Sequence, residues 1–162
     1  LRHGPAARTL GAVGIGIGIV AGALGAPATI ASGATAPGRC PVGARPAIVQ
    51  AYADVFGRSP GLALEQRASA LDRADEPAVR ALLERAASDP DTASTTVTVV
   101  RVRCPRPDRA RVEADLVLAG VVLPDVLPPG RAVRRAGVWK VATPTFCARM
   151  TLEDPSLAGR CP

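Results

Sequence analysis

From residue 39 onward the apolar positions recur first at helical spacing and then at strand spacing. After Pro46, which suits a first helical position, Ala47 to Gly57 places Ile48, Tyr52, Val55 and Phe56 on one stripe, and Gly57 stops the helix. Ser59-Pro60 opens a second predicted helix with Leu64, Ala68 and Leu71 on its inner face. Asp75 is the expected cap of a third, Glu76 to Ala87, whose stripe is Val79, Leu82, Leu83 and Ala86. Asp89-Pro90-Asp91 closes this helical half.

The period then falls to two. Thr95 to Cys104 is rich in β-branched residues and sets Thr95, Val97 and Val99 against Thr96, Thr98, Val100 and Val102. Pro105 to Asp108 reads as a turn. Arg109 to Leu118 puts Ala110, Val112, Ala114, Leu116 and Leu118 on one face, with Arg111, Glu113 and Asp115 on the other. Gly120 to Gly130, with Pro124, Pro128 and Pro129, reads as a loop. Two further strands flank a tight turn at Ala136-Gly137. In the second of them Trp139 and Val141 share a face, with Val138, Lys140 and Ala142 opposite. A short turn held by cysteine follows. Three helices packed on a curved antiparallel sheet of about four strands make an α+β domain. Tyr52, Phe56 and Trp139 are expected in one interior.

The N-terminal part has a different pattern. Leu1 to Arg8 carries two arginines and no acid, and no charged residue occurs from Thr9 to Gly38. Leu10 to Leu24 is apolar and glycine-rich, and Ala26-Pro-Ala28 and Ala34-Thr-Ala36 offer the small-x-small pattern of a cleavage site. This order describes an export signal. About 20 apolar residues also span a bilayer, so an uncleaved anchor is the other reading. Residues 1–36 are thus a signal peptide or N-terminal membrane anchor, and residues 37–162 an exported domain. The Pro37-Gly-Arg39 preceding Cys40 lacks the residues of a lipid-attachment box.

Export changes the meaning of the cysteines. Cys40, Cys104, Cys147 and Cys161 are even in number in a chain bound for an oxidising space. Three pairings are possible. The expected one joins Cys147 to Cys161, closing the tail, and Cys40 to Cys104, fastening the start of the domain to a strand. The only histidine, His3, lies in the N-terminal segment, and no Cys-x-x-Cys pair exists. Metal binding is therefore not expected, and neither is any cofactor. Catalysis would have to use carboxylates, Tyr52 or cysteine.

The apolar fraction of 48% comes mainly from Ala, Val and Leu, so the core should be aliphatic with a few aromatic anchors. The formal charge is +6, carried by nineteen Arg and the single Lys140. Arg101 and Arg103, Arg109 and Arg111, and the hairpin's Arg131, Arg134, Arg135 and Lys140 would form a basic strip if their faces coincide. Such a strip could make weak contact with anionic lipid or wall polymer. A charged outer face that keeps the sheet soluble is the plainer account. Nucleic acid is not expected, because stacking needs exposed aromatics and the four here look internal.

The helical start Ala51-Tyr-Ala-Asp-Val-Phe, the Gly-Val-Trp-Lys-Val hairpin and the Thr-Phe-Cys ending resemble small secreted proteins of actinobacteria. These are grouped with the low-molecular-weight mycobacterial secreted antigens. The resemblance runs from about Pro46 to Pro162 and implies a cystatin-like cone of the nuclear-transport-factor-two type, often without known enzymatic activity. The same cone occurs in membrane-tethered accessory proteins of actinobacterial lipid importers, which keep the N-terminal helix as an anchor. Some enzymes of this fold use an Asp–His pair, which the missing histidine excludes, or a lone carboxylate, for which Asp54 and Asp115 are the candidates. Pairing with arginine is the plainer expectation for both. Tyr52, Phe56 and Trp139 are the candidate pocket residues, with core filling as the alternative. The chain thus reads as an exported, non-enzymatic binding module at the cell envelope, with an unknown envelope protein or a small apolar ligand as partner. A membrane-anchored transport accessory subunit and a carboxylate-based enzyme are the alternatives.

Overall fold

The computed structural model describes residues 39–57, 62–88, 95–159 and 161. The segment expected to be a signal or anchor, with Arg2, His3 and Arg8, the expected helix start at Ser59-Pro60 and the expected break at Asp89-Pro90-Asp91 lie outside them. Among the described residues no helix is long and apolar enough to cross a membrane.

The first helix, α1, spans Ala44–Phe56 and buries Ala44, Ile48, Ala51, Tyr52 and Val55. It begins two residues before Pro46, which costs nothing because first-turn N–H groups have no intrahelical partner. The second helix, α2, is only Leu64–Ser69. Leu71, expected on its inner face, lies beyond it and forms a parallel bridge with Val141. The third, α3, is Pro77–Ser88, with Val79 and Leu83 buried. Its start corrects the expected cap. Pro77 takes the first helical position, and the carbonyl of Glu76, one residue after Asp75, accepts from the N–H of Arg80 at 2.9 Å.

Five strands follow: β1 Thr95–Arg106, β2 Arg109–Leu118, β3 Val121–Leu123, β4 Gly130–Arg135 and β5 Val138–Val141. All pair antiparallel in the order β1-β2-β4-β5, with β3 added to the C-terminal end of β2. Helix α1 packs against both β1 and β5, the two ends of that order, so the sheet curls around it. The fold is α+β, as the patterning indicates.

Two elements differ from the sequence reading. The stretch Gly120 to Gly130 is not all loop, because β3 folds back on β2 through a turn at Ala119-Gly120. The cysteine-held ending contains a helix, α4, Thr143–Glu153, followed by a 3-10 turn at Pro155–Leu157. The alternation of β1 also breaks. Val99 opposes Ala114 and Arg101 opposes Glu113, which leaves Val100 as a bulge. An extra residue inverts the faces beyond it, so Val102, read on the same face as Val100, packs on the core while Val100 is half exposed.

The core is aliphatic around a few rings. Ile48, Leu71, Val79, Leu83, Val112, Val141 and Phe146 are fully buried. Phe56 lies between Tyr52 and Phe146, with ring centroids 5.6 and 6.3 Å away. The outer side of β5 is closed by the residues after α2, through Val141 N–H to Ala70 O and Asp72 N–H to Val141 O, both 2.8 Å. Cys40 bonds Cys104 and Cys147 bonds Cys161, with Cα separations of 4.8 and 5.8 Å. The first ties the approach to α1 onto β1, and the second ties the tail onto α4.

Candidate functional site

A cavity of about 280 Å³ opens between α1, the sheet and α4. Its position follows from the periodicities already described. Helical spacing carries Tyr52 and Phe56 to the sheet side of α1, and alternation sends Val97, Val112 and Ala114 inward from β1 and β2. The remaining wall comes from Leu127 to Arg131 and from α4, through Pro144, Thr145, Ala148 and Arg149.

The polar groups are few and held. The Tyr52 hydroxyl donates to the Arg131 carbonyl at 3.3 Å. Thr145 Oγ1 accepts from the Arg131 N–H at 2.8 Å and donates to the same carbonyl at 3.3 Å, which fastens the start of β4 to α4. Gly130 fits between these groups only because it lacks a β-carbon. Burial raises the Tyr52 phenol well above its ordinary range, with Thr145 offsetting part of the effect, so the cavity presents a neutral hydroxyl. Arg149 is the charged group of the wall. It is 8% exposed, and its Nη2 donates to Glu153 Oε1 at 2.6 Å. Burial lowers its pKa and Glu153 partly restores it. A guanidinium remains protonated at any ordinary pH.

Of the candidate pocket residues, Tyr52 and Phe56 line this cavity and Trp139 does not. Trp139 is buried with Val141 on the inner face of β5 and serves the core, because the strand meets α1 there and not the cavity mouth. The α4 residues were missed. Their signal was a proline at the start of a possible helix, with Phe146 and Met150 four apart.

The candidate carboxylates lie elsewhere. Asp54 accepts from Gln50 Nε2 at 2.8 Å on the exposed side of α1, and Asp115 opposes Thr98 on the outer sheet face. Neither forms the arginine ion pair expected of it among the described residues. No group of three or more metal-ligating side chains occurs among the described residues.

Strand register puts the basic residues of the expected strip on the outer face, all but Arg134. Arg103 opposes Arg111, and Arg111 opposes Arg131, so these three share the outer face. Arg101 pairs with Glu113 at 3.3 Å, Arg109 opposes Val133, and Val133 opposes Lys140. Arg134, expected in the same strip, opposes the buried Trp139 and turns back to donate from Nε to the Gly137 carbonyl at 3.0 Å.

No curated protein and no solved structure matches the chain. The model of one family matches residues 46–156, which covers all four helices and all five strands but for the two residues that begin α1. The chain belongs to the family of the low molecular weight antigen MTB12, as a form of its C-terminal domain.

Proposed function

We propose that this protein is an exported, non-enzymatic binding module of the cell envelope that holds a small apolar ligand between α1, the sheet and α4. The observation that carries this reading is the cavity of about 280 Å³ walled by Phe56, Val97, Val112, Leu127 and Ala148, with the Tyr52 hydroxyl as its polar tip. An apolar concavity with a few fixed polar groups is the usual form of a small-molecule site, and this volume lies near the lower end of the common range. Asp54 and Asp115, the candidate bases, are not among its lining residues, which favours binding over catalysis. Two disulfides favour an oxidising destination.

Decanol titrated into the full chain should bind saturably and shift the amide resonances of Val97, Val112 and Ala148. Ala148→Phe, which fills the cavity from α4, should weaken that binding by about tenfold or more, the loss of roughly 1.4 kcal/mol of contact. Failure of decanol and of naphthalene to bind, or equal binding by the filled variant, would remove the apolar-ligand reading.

A further inference from the structure

Arg103, Arg111 and Arg131 stand opposite one another on three adjacent strands. Directly opposed residues share a face, so the three side chains leave the sheet together within about 10 Å, two interstrand spacings. Like charges in this position destabilise a sheet. The ion pairs among the described residues engage none of the three, and the neighbouring Glu113 is taken by Arg101. Protection of a sheet edge does not account for the row. Its middle member is on β2, which pairs with β1 on one side and with β3 and β4 on the other, whereas guarding charges belong on edge strands. A local rule broken in the middle of a sheet points to use of the residues.

Arg111 and Arg131 also bound a cleft of about 560 Å³, together with Arg109, Pro129, Gly130 and Pro144. Its one acid, Asp72, is held by Arg135 with Nε to Oδ1 at 3.1 Å, and Arg73 at the rim is paired with Glu76. Arg109, Arg111 and Arg131, none of them in an ion pair among the described residues, therefore converge on a concave surface, where low-dielectric walls concentrate their field. A guanidinium binds a carboxylate or a phosphate through paired N–H donors. One carboxylate would satisfy a single fork, whereas a diphosphate has oxygens and charge for two or three.

We propose that this cleft binds a phosphate-bearing ligand carrying at least two negative charges. The site meets the apolar cavity only along the wall formed by Pro129 to Arg131 and Pro144, and it stands whether or not that cavity is occupied. The phosphate can come from a soluble diphosphate or from lipid headgroups. Calorimetry of the full chain with inorganic pyrophosphate at low salt tests the first source. Sedimentation with phosphatidylcholine vesicles, with and without phosphatidylglycerol, tests the second.

Saturable pyrophosphate binding, or adsorption that requires phosphatidylglycerol, is expected, and which of the two occurs assigns the source. The double substitution Arg111→Gln and Arg131→Gln should weaken it about tenfold for each arginine removed. Because the substitutions relieve repulsion, the variant should melt no lower than the unchanged chain, so lost binding would not reflect unfolding. Arg111→Lys keeps the charge but loses the planar fork, and should weaken pyrophosphate binding severalfold. Absence of both interactions, or equal affinity in the unchanged chain and the double variant, would overturn the proposal.

Discussion

Gly130 and Tyr52 hold each other in place across the cavity wall. A β-carbon on Gly130 would stand 2.5 Å from Tyr52 Oη and 2.7 Å from Thr145 Cγ2, so any side chain must displace one of them. Gly130→Ala should destabilise the protein by about 1–3 kcal/mol, the usual cost of overpacking, visible as a lower urea midpoint. Tyr52 is the only tyrosine, so phenolate absorbance reports it alone. Its folded-state pKa is raised above the ordinary value of 10.0, so the folded chain keeps a proton that the unfolded chain releases. The associated stability is complete below that ordinary value and declines as pH rises beyond it. Phenolate absorbance should stay absent until alkali unfolds the protein. Tyr52→Phe should remove the alkaline decline and cost about 0.5–1.5 kcal/mol at neutral pH through the lost hydrogen bond.

At the scale of elements, two turns repeat one solution. Ala119-Gly120-Val121 and Ala136-Gly137-Val138 have the same three residues, and each Ala-Gly pair takes positive φ, 50° and 85° in the first, 47° and 84° in the second. Two positive φ values in a two-residue loop make the turn whose twist matches antiparallel strands. The second hairpin was read from the sequence, and the first was legible by the same signal but hidden beside a proline-rich stretch. Alanine fits the left-handed region poorly, at a cost of roughly 1–2 kcal/mol. Ala136→Asn should therefore raise stability by about 0.5–1 kcal/mol in a denaturant titration. Helix α4 was less legible, because Thr, Pro, Phe and Cys are weak or unfavourable helix formers. Burial of Phe146, Cys147 and Met150 against the core holds it instead.

For the whole molecule, the two disulfides constrain loops of different length. Cys40 and Cys104 are 64 residues apart, Cys147 and Cys161 only 14. Loop-closure entropy assigns about 4 kcal/mol to the first bond and about 3 kcal/mol to the second. Paired Cys→Ser substitutions should lower guanidinium unfolding free energies in that order, with the larger loss at Cys40–Cys104. The proposed export predicts that intact mass of the protein from culture medium shows loss of residues up to about position 36, at the small-residue sites. A full-length species confined to membranes would instead favour the anchored accessory subunit.

The sequence by itself determined the α+β class, the helical stripes of α1 and α3, the two long strands and the final hairpin. Each rests on a period of 3.6 or two that neighbouring residues carry locally. It left three cysteine pairings open, and the fold selects Cys40–Cys104 and Cys147–Cys161, the pairing expected. Tertiary structure decided where the site lies. The cavity needs Tyr52 from α1, Val112 from β2 and Ala148 from α4 at one place, and the curl of the sheet around α1 brings them there. The arginine row depends on strand register, and the bulge at Val100 changes which residues of β1 face outward. Register and curvature are set by long-range pairing and packing, which no local periodicity encodes.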